Sequence, residues 1–112
     1  MQVAVYGSLK HGHGNNRLLS ESEFKGRGVT LPEYTMYSMG GFPCITEGGD
    51  TPIHIEVYEV DDRTFERLDF LEGYPRFYNR KEIETTYGTA WIYYIQDETY
   101  LGNLNKVGNG QW

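Results

Sequence analysis

The segment DDRTFERLDFLEGYP, residues 61–75, contains the clearest helix signal in this sequence of 112 residues. Asp61 is a suitable N-cap, and the pattern after it predicts a helix over Asp62–Glu72. Gly73 and Pro75 should end that helix, because glycine adopts the left-handed C-cap conformation easily and proline cannot continue the helical hydrogen bonds. The segment therefore predicts one main helix, with the rest of the chain on either side of it.

Glu72 lies on the apolar side of this predicted helix. At about 100° of rotation per residue it falls between Phe65 and Leu68, whereas Glu66 and Arg67 fall on the far side. Burial disfavours the charged form of a carboxylate and raises its pKa toward the range useful for proton transfer at neutral pH. A glutamate in the last turn of a helix can equally turn to solvent, so the angle alone leaves both interpretations open.

Short strands are predicted on both sides of the helix, separated by glycine and proline. They cover residues 3–6, several stretches within 24–46, residues 53–60, and a hairpin of 80–86 and 89–95 that turns at 87–88. A helical turn is expected at 17–20, and the last sixteen residues look loop-like. The pattern predicts an α+β fold in a single domain over residues 1–112, with a small curved mixed β-sheet or barrel, one main helix and short flanking helices.

Composition narrows the classes of partner. The net charge of −6, with the ten Lys and Arg residues scattered, argues against binding to phosphate backbones, so we expect no nucleic-acid partner.

The single cysteine, Cys44, cannot form an internal disulfide, and its apolar neighbours predict a packed thiol. The N-terminus reads as a strand without a basic leader or a long apolar run, so we expect a cytoplasmic protein with neither a signal peptide nor a membrane span.

A loop after the first strand is the first candidate site. Tyr6, Gly7, Ser8 and Leu9 stand where the strand gives way to a glycine-rich run, so consecutive backbone N–H groups there could form a concave site for a carboxylate. A plain strand-ending turn explains the same residues. Tyr78 follows Glu72 closely enough in sequence to face the same cleft, although it could equally belong to the core.

Other candidates carry weaker signals. His11 and His13 lie in a loop without a Cys, Asp or Glu at recognisable metal-ligand spacing, so no metal is predicted. Ser8 lacks a nucleophile elbow and Cys44 lacks the flanking sequence of a catalytic cysteine. Asp69 lies on the same helix face as Glu72 and is interpreted as supporting structure.

The motifs together resemble the γ-glutamylcyclotransferase-like family, most closely its γ-glutamylamine cyclotransferase branch. The resemblance covers most of the chain and rests on the pairing of Tyr-Gly-Ser-Leu at residues 6–9 with Leu-Asp-x-x-Glu-Gly-x-Pro at residues 68–75. Further matches in the family's order are Asn16, Arg17, Leu18, Leu19, Gly28, Glu56, Val57, Tyr58, Val60, Asp61, Tyr78 and Arg80.

The resemblance implies a compact β-barrel flanked by helices. It implies that Tyr6, Gly7, Ser8 and Leu9 bind the α-carboxylate and α-amine of a small γ-glutamyl substrate, with Glu72 as the catalytic acid/base. The reaction it implies closes the substrate to 5-oxoproline and releases an amine, which requires no nucleophile, metal or cofactor from the protein.

Two alternatives to this function remain at the level of sequence. A noncatalytic module on the same fold could bind a small carboxylate-bearing molecule. A related cyclotransferase could act on another γ-glutamyl-acylated metabolite. In each case the expected partner is a small molecule and the expected state is a monomer.

Overall fold

The structure is a computed structural model that describes residues 1–96 and 98–112. Its elements in chain order are β1 (Gln2–Val5), a 3₁₀ turn (Asn16–Leu19), β2 (Glu23–Val29), β3 (Tyr34–Ser38), β4 (Pro43–Glu47), β5 (His54–Glu59), α1 (Asp62–Glu72), β6 (Asn79–Thr85), β7 (Gly88–Tyr94), a second 3₁₀ turn (Glu98–Leu101) and β8 (Asn105–Lys106). The predicted α+β class, with a curved sheet and one main helix, is confirmed.

The strands form two sheets. The larger has the order β2-β5-β1-β7-β6, in which β1 runs antiparallel to β5 and parallel to β7. The smaller has the order β4-β3-β8 and is antiparallel. A backbone hydrogen bond of 2.9 Å from the Ile95 N–H to the Ile45 carbonyl joins the end of β7 to β4. The mixed larger sheet therefore has the small sheet attached beside the end of β7.

Both faces of the larger sheet are covered. On one face, Ile55 and Ile92 pack in a cluster with Met36 and Ile45 of the smaller sheet. On the other, Val3, Tyr58 and Tyr93 pack in a cluster with Leu68 of α1. Alternating residues of β5 point to opposite faces, and both sets are buried because the smaller sheet packs on one face and α1 on the other.

Local signals set the ends of α1. The Asp61 carboxylate accepts a hydrogen bond of 2.7 Å from the Thr64 N–H, as expected of an N-cap. Gly73 adopts the left-handed conformation at φ +67° and donates its N–H to the carbonyls of Asp69 and Phe70. The predicted bounds of the helix are confirmed at both ends. None of the helices in the described part of the chain combines the length and apolar character needed to cross a membrane.

Three expectations need correction. The strands in residues 1–96 and 98–112 do not close into a barrel; β2 and β6 stay sheet edges, and their many charged side chains disfavour further pairing. The hairpin tip is Thr86 and Tyr87 rather than residues 87–88, because Gly88, at φ +104°, already pairs with Thr85. The C-terminal stretch contains the short strand β8, paired with β3; residue 97 of that stretch lies outside the described residues.

Candidate active site

A cavity of about 260 Å³ opens where β1 ends, next to the C-terminus of α1 and the start of β4. This volume is just under the range of roughly 300–1,000 Å³ found for sites of drug-sized ligands, which suits a small metabolite. All six residues predicted for the site line this cavity: Tyr6, Gly7, Ser8, Leu9, Glu72 and Tyr78. The structure therefore brings together two motifs that lie more than sixty residues apart in the sequence.

Glu72 is held at the cavity by the turn that ends α1. Its backbone carbonyl accepts a hydrogen bond of 3.3 Å from the Tyr78 N–H, and the Phe77 N–H donates to the Gly73 carbonyl at 2.8 Å. The turn therefore folds back on the helix end and brings Tyr78 beside Glu72. The side chain of Glu72 is half-buried and lines the cavity, which agrees with the angle worked out from the sequence.

The Glu72 carboxylate lacks a compensating partner among the residues that the structure describes. Within the described part of the chain it forms no hydrogen bond and no ion pair. Burial raises the pKa of Glu72 from 4.5 to about 7. Its position at the C-terminal end of a helix, where the helix dipole is negative, also disfavours the charged form. A carboxyl group with this pKa can both accept and release a proton near neutral pH.

Asp69, one turn earlier on α1, has the opposite environment. Its carboxylate accepts hydrogen bonds from Arg80 Nε at 2.9 Å, from Arg80 Nη2 at 3.2 Å and from the Tyr93 hydroxyl at 2.7 Å. The Arg80 guanidinium also lies 4.1–4.6 Å from the ring centroids of three aromatic residues: Phe65, Tyr74 and Trp91. Asp69 therefore fastens the helix to the β6–β7 hairpin, which supports its interpretation as structure, and it leaves Glu72 as the free carboxylate.

The backbone of the Tyr6–Leu9 loop faces the cavity with unused donors. Within the described residues, the N–H groups of Gly7, Ser8 and Leu9 form no turn or loop hydrogen bond. Ser8 Oγ accepts a hydrogen bond of 2.9 Å from Asn15 Nδ2, which leaves its O–H available to donate. The Leu9 side chain is buried in the core, so its backbone is the part available to a ligand. The loop can therefore offer several donors to an anion.

Gly7 permits this arrangement by its lack of a side chain. A Cβ atom there would lie 2.6 Å from Cδ and 2.7 Å from Cγ of Pro43. Those distances are well inside van der Waals contact, so the loop can approach β4 this closely only with glycine at position 7. The close approach joins two walls of the cavity.

Buried tyrosines form the inner part of the cavity, and their hydroxyl groups donate to the protein. Tyr6 donates to the carbonyl of Tyr93 at 2.7 Å, and Tyr78 donates to the carbonyl of Pro43 at 2.6 Å. Burial raises the pKa of each tyrosine, and the charge of Glu72 raises it further, so these hydroxyl groups stay neutral. Tyr78 can thus contact a ligand through its ring, while its proton is committed to β4.

Glu56 is a buried carboxylate that sequence reasoning missed. Its Oε1 accepts hydrogen bonds from the His11 N–H at 2.7 Å and from the Tyr58 hydroxyl at 3.1 Å. The same hydroxyl accepts from Asn16 Nδ2 at 3.2 Å, and Asn16 also donates to the Leu9 carbonyl at 2.9 Å. Glu56 therefore anchors the loop that forms one wall of the cavity.

The other candidates lie away from such a role. Cys44 is fully buried, and burial raises the pKa of its thiol to about 11, which confirms the predicted packed thiol. His11 binds Glu56 through its backbone, and no cluster of three or more His, Cys, Asp or Glu side chains in the described residues has metal-site geometry.

Nine further residues that line the cavity were not predicted as site residues: Ala4, Val5, Asn15, Gly41, Phe42, Pro43, Leu71, Phe77 and Tyr93. Asn15 lies seven positions after Ser8 in the sequence. The loop between them closes on itself, and the Asn15 N–H donates a hydrogen bond of 2.9 Å to the Ser8 carbonyl. Phe42 reaches the cavity from the β3–β4 turn because the neighbouring Pro43 packs against Gly7, and Tyr93 reaches it because β7 pairs with β1. A pattern of alternating residues could have assigned Tyr93 to a sheet face, but not to this end of the sheet.

Comparisons with known proteins show which family this chain is similar to. A family model described as Gamma-glutamyl cyclotransferase, AIG2-like, matches residues 3–112. A Vibrio cholerae relative, provisionally named a gamma-glutamylcyclotransferase, is 44% identical over 110 residues, which cover 98% of this chain and 93% of that protein. The gamma-glutamylcyclotransferase family protein YtfP of Escherichia coli is 35% identical over 112 residues, covering 100% of this chain and 96% of its own.

Solved structures extend the similarity to the fold. The solution NMR structure of the Escherichia coli protein gives a TM-score of 0.80 at 34% identity, covering 100% of this chain and 96% of the other. A crystal structure of a Pyrococcus horikoshii protein gives a TM-score of 0.84 at 27% identity, covering 99% and 88% of the two chains. Sequence and structure lead to the same assignment: this chain belongs to the gamma-glutamyl cyclotransferase, AIG2-like family.

Proposed function

We propose that this protein is a γ-glutamyl cyclotransferase that converts a γ-glutamyl amine or γ-glutamyl amino acid to 5-oxoproline and a free amine, with Glu72 as general acid/base. The observation that carries the proposal is the unpaired, half-buried Glu72 carboxylate, whose pKa of about 7 suits proton transfer. Family membership supports a cyclotransferase reaction. The γ-glutamylamine type is our own narrower proposal, and it rests on the motif resemblance.

The reaction requires little more than positioning and proton transfer. The Glu72 carboxylate takes a proton from the substrate's α-ammonium group, and the freed amine attacks the γ-carbonyl carbon to form the lactam C–N bond. Glu72 then delivers that proton to the departing nitrogen as the original amide C–N bond breaks. The lactam nitrogen gives up a second proton to the released amine, which leaves as an ammonium ion. Glu72 is regenerated, and neither water nor electrons are consumed.

The loop supplies the binding half of the site in this proposal. The N–H groups of Gly7, Ser8 and Leu9 would hold the α-carboxylate of the substrate, with the Ser8 hydroxyl as a further donor. The attack is already intramolecular in the free substrate, and fixing the carboxylate would restrict the five-atom reacting segment to conformations close to ring closure. Donors aimed near the γ-carbonyl oxygen would also stabilise the developing oxyanion.

The test is mass-spectrometric detection of 5-oxoproline after incubation with γ-glutamyl-ε-lysine and, separately, with a γ-glutamyl-α-amino acid. The wild-type protein is expected to form product from at least one substrate. Glu72→Gln keeps the shape of the side chain but cannot exchange protons, so its turnover is expected to fall by at least about a hundredfold. Glu66→Gln, on the exposed face of the same helix, is the matched control.

The outcomes separate the proposed function from its alternatives. Near-normal turnover by Glu72→Gln would refute the role of this residue. Ligand binding by a folded protein with no 5-oxoproline from any γ-glutamyl compound would favour a noncatalytic carboxylate-binding module. Product from neither of the first two substrates but from another γ-glutamyl metabolite would retain the reaction and change the acyl donor.

A further inference from the structure

Three buried tyrosines line the cavity together with Glu72. Tyr6 comes from β1, Tyr93 from β7, and Tyr78 from the segment between α1 and β6. Each lies close enough for the charge of Glu72 to raise the pKa of its hydroxyl. The three neutral hydroxyl groups are therefore potential hydrogen-bond donors to the Glu72 carboxylate.

Other titratable or polar groups contribute little at this place. Among residues 1–96 and 98–112, no Lys, Arg or His lines the cavity. Cys44 of β4 is fully buried and does not line it either. Ser8 and Asn15 do line the cavity, but they are hydrogen-bonded to each other. The environment of Glu72 therefore depends mainly on the tyrosines.

None of the three tyrosine protons is directed at the carboxylate. Tyr6 donates to the Tyr93 carbonyl at 2.7 Å, and Tyr78 donates to the Pro43 carbonyl at 2.6 Å. Tyr93 donates to Asp69 Oδ1 at 2.7 Å. A phenol has a single proton to donate, so each hydroxyl is committed to a partner outside the cavity. Two of these partners belong to the backbone, and only the third is a side chain that a substitution can remove.

Asp69 is fixed in the position that receives the Tyr93 proton. Arg80 binds both carboxylate oxygens, with Nε 2.9 Å from Oδ1 and Nη2 3.2 Å from Oδ2. The hydroxyl of Tyr93 is thus bound by a charged acceptor, and such bonds are stronger than those between neutral groups. Asp69 precedes Glu72 by three residues on α1, so the two carboxylates lie on neighbouring parts of the same helix face.

We infer that Asp69 is a positioning residue for the reaction, because it holds the Tyr93 proton away from the cavity and so keeps a hydroxyl donor from the Glu72 carboxylate. The inference rests on the proposed function, in which Glu72 takes a proton from the substrate. A hydroxyl that donated to Glu72 would occupy an oxygen lone pair and stabilise the charged form, which would make the carboxylate a weaker base. The basicity of Glu72 thus depends on Asp69 as well as on burial.

The test is a double-mutant cycle read by NMR. The ¹³C shift of the Glu72 carboxyl carbon is followed from about pH 4 to pH 9 in wild type, Tyr93→Phe, Asp69→Ala and the double variant, and Glu72→Gln identifies the signal. In wild type the Tyr93 hydroxyl donates elsewhere, so Tyr93→Phe is expected to move the midpoint by less than about 0.3 pH unit. In Asp69→Ala the freed hydroxyl can turn to Glu72, so adding Tyr93→Phe is expected to raise the midpoint by about one pH unit.

Comparing the two backgrounds removes the other effects of the Asp69 substitution. Loss of the Asp69 charge is common to Asp69→Ala with and without Tyr93, so it cancels. Any movement of Arg80 cancels in the same way, and three aromatic rings still hold its guanidinium. Tyr78→Phe is the matched control, because the Pro43 carbonyl holds that hydroxyl in either background and its loss should have the same effect in both.

Equal effects of Tyr93→Phe in the two backgrounds would overturn the inference. A midpoint that already rises by about one pH unit when Tyr93→Phe is made in wild type would overturn it too, since the hydroxyl would then donate to Glu72 in the native protein. If Asp69→Ala does not fold, the second background is Arg80→Met combined with Asp69→Leu, which replaces the ion pair by two apolar side chains and leaves the net charge unchanged.

Activity links the cycle to the reaction. The midpoint of the kcat/KM profile for 5-oxoproline formation should move with the NMR midpoint in each variant, and a profile that stays in place would refute the role of Asp69 in the reaction. Without 5-oxoproline from wild type at any pH, the proposed function fails and the role of Asp69 in the reaction falls with it. The NMR cycle reports on the Tyr93 proton independently of turnover, so the two failures can be told apart.

Discussion

Replacing Glu72 by glutamine should make the protein more stable while it removes activity. The side chain is held half-buried without a partner, and its pKa is raised from 4.5 to about 7. Because the folded state binds this proton more tightly than the unfolded state, stability falls as the pH rises from 4.5 to 7. Glutamine carries no charge at any pH and should not show this loss.

The pKa difference sets the size of the effect. Above pH 7 the ionised carboxylate costs the folded state about 3 kcal/mol, taken as an upper value because the side chain retains some contact with solvent. Glu72→Gln should therefore raise the free energy of unfolding by up to about 3 kcal/mol at pH 8, which is roughly 10 °C in melting temperature for a domain of this size. The gain should shrink steadily as the pH falls toward 4.5.

Urea unfolding of both proteins, followed by circular dichroism from pH 5 to pH 9, measures this directly. Glu66→Gln is the control, because its side chain is exposed on the opposite face of α1 and should give a small difference that does not depend on pH. A Glu72→Gln protein that is less stable than wild type at pH 8, or whose stability difference is the same at pH 5 and pH 8, would refute the assignment of Glu72 as an unpaired, desolvated carboxylate.

Three other predictions follow from the site and its supports. The kcat/KM of wild type should rise through about pH 7 as Glu72 ionises to its basic form; a flat profile from pH 6 to pH 8 would contradict its role. Gly7→Ala should lower kcat/KM at least about tenfold, because the new Cβ would displace a cavity wall; Gly14→Ala has open space and should match wild type in the same assay. Arg80→Met should reduce the free energy of unfolding by about 2 kcal/mol, since it removes the cation from the partly buried Asp69 carboxylate and leaves it only the hydrogen bond from Tyr93. Urea unfolding would test this, with Arg67→Met as the control because Arg67 is exposed on α1. An equal loss of unfolding free energy in the two variants would show that the Arg80 contacts add little stability.

What the sequence could predict was set by local signals. The cap at Asp61, the apolar stripe of α1 and the glycine at position 73 act within a few residues, so the helix and the inward angle of Glu72 follow from the sequence alone. The alternation of residues along β5 places Glu56 on the face opposite Ile55 and Val57. That Glu56 is buried depends on a loop more than forty residues away, which no local pattern reports.

Long-range pairing explains the remaining differences. A sheet closes into a barrel only if its two outermost strands pair with each other, and no local sequence pattern reports that pairing. The strand β8 was missed for another reason: its two residues are too few to show an alternating pattern. Phe42 reaches the cavity only because β4 lies beside the loop at Gly7, where the Pro43 ring packs against the glycine. The motifs in the sequence predicted the lining residues at the end of β1 and at the end of α1, but the wall formed by Phe42 and Pro43 is a product of tertiary structure.

The parallel pairing of β1 with β7 has a consequence for how the site is made. Val3 and Ala4, near the start of the chain, pair with Trp91 and Ile92, so β1 leaves the ribosome long before its neighbour is synthesised. Contacts of such high sequence separation form slowly, and although β5 can pair with one edge of β1 earlier, the other edge stays unpaired until β7 is synthesised. A nascent chain stopped before Gly88 should therefore lack the part of the cavity that Tyr93 forms, and limited proteolysis of stalled chains should show full protection of β1 only after β7 has emerged. The loop at residues 6–9 is synthesised before α1 and β7, and the cavity that it lines is complete only once both have folded against it.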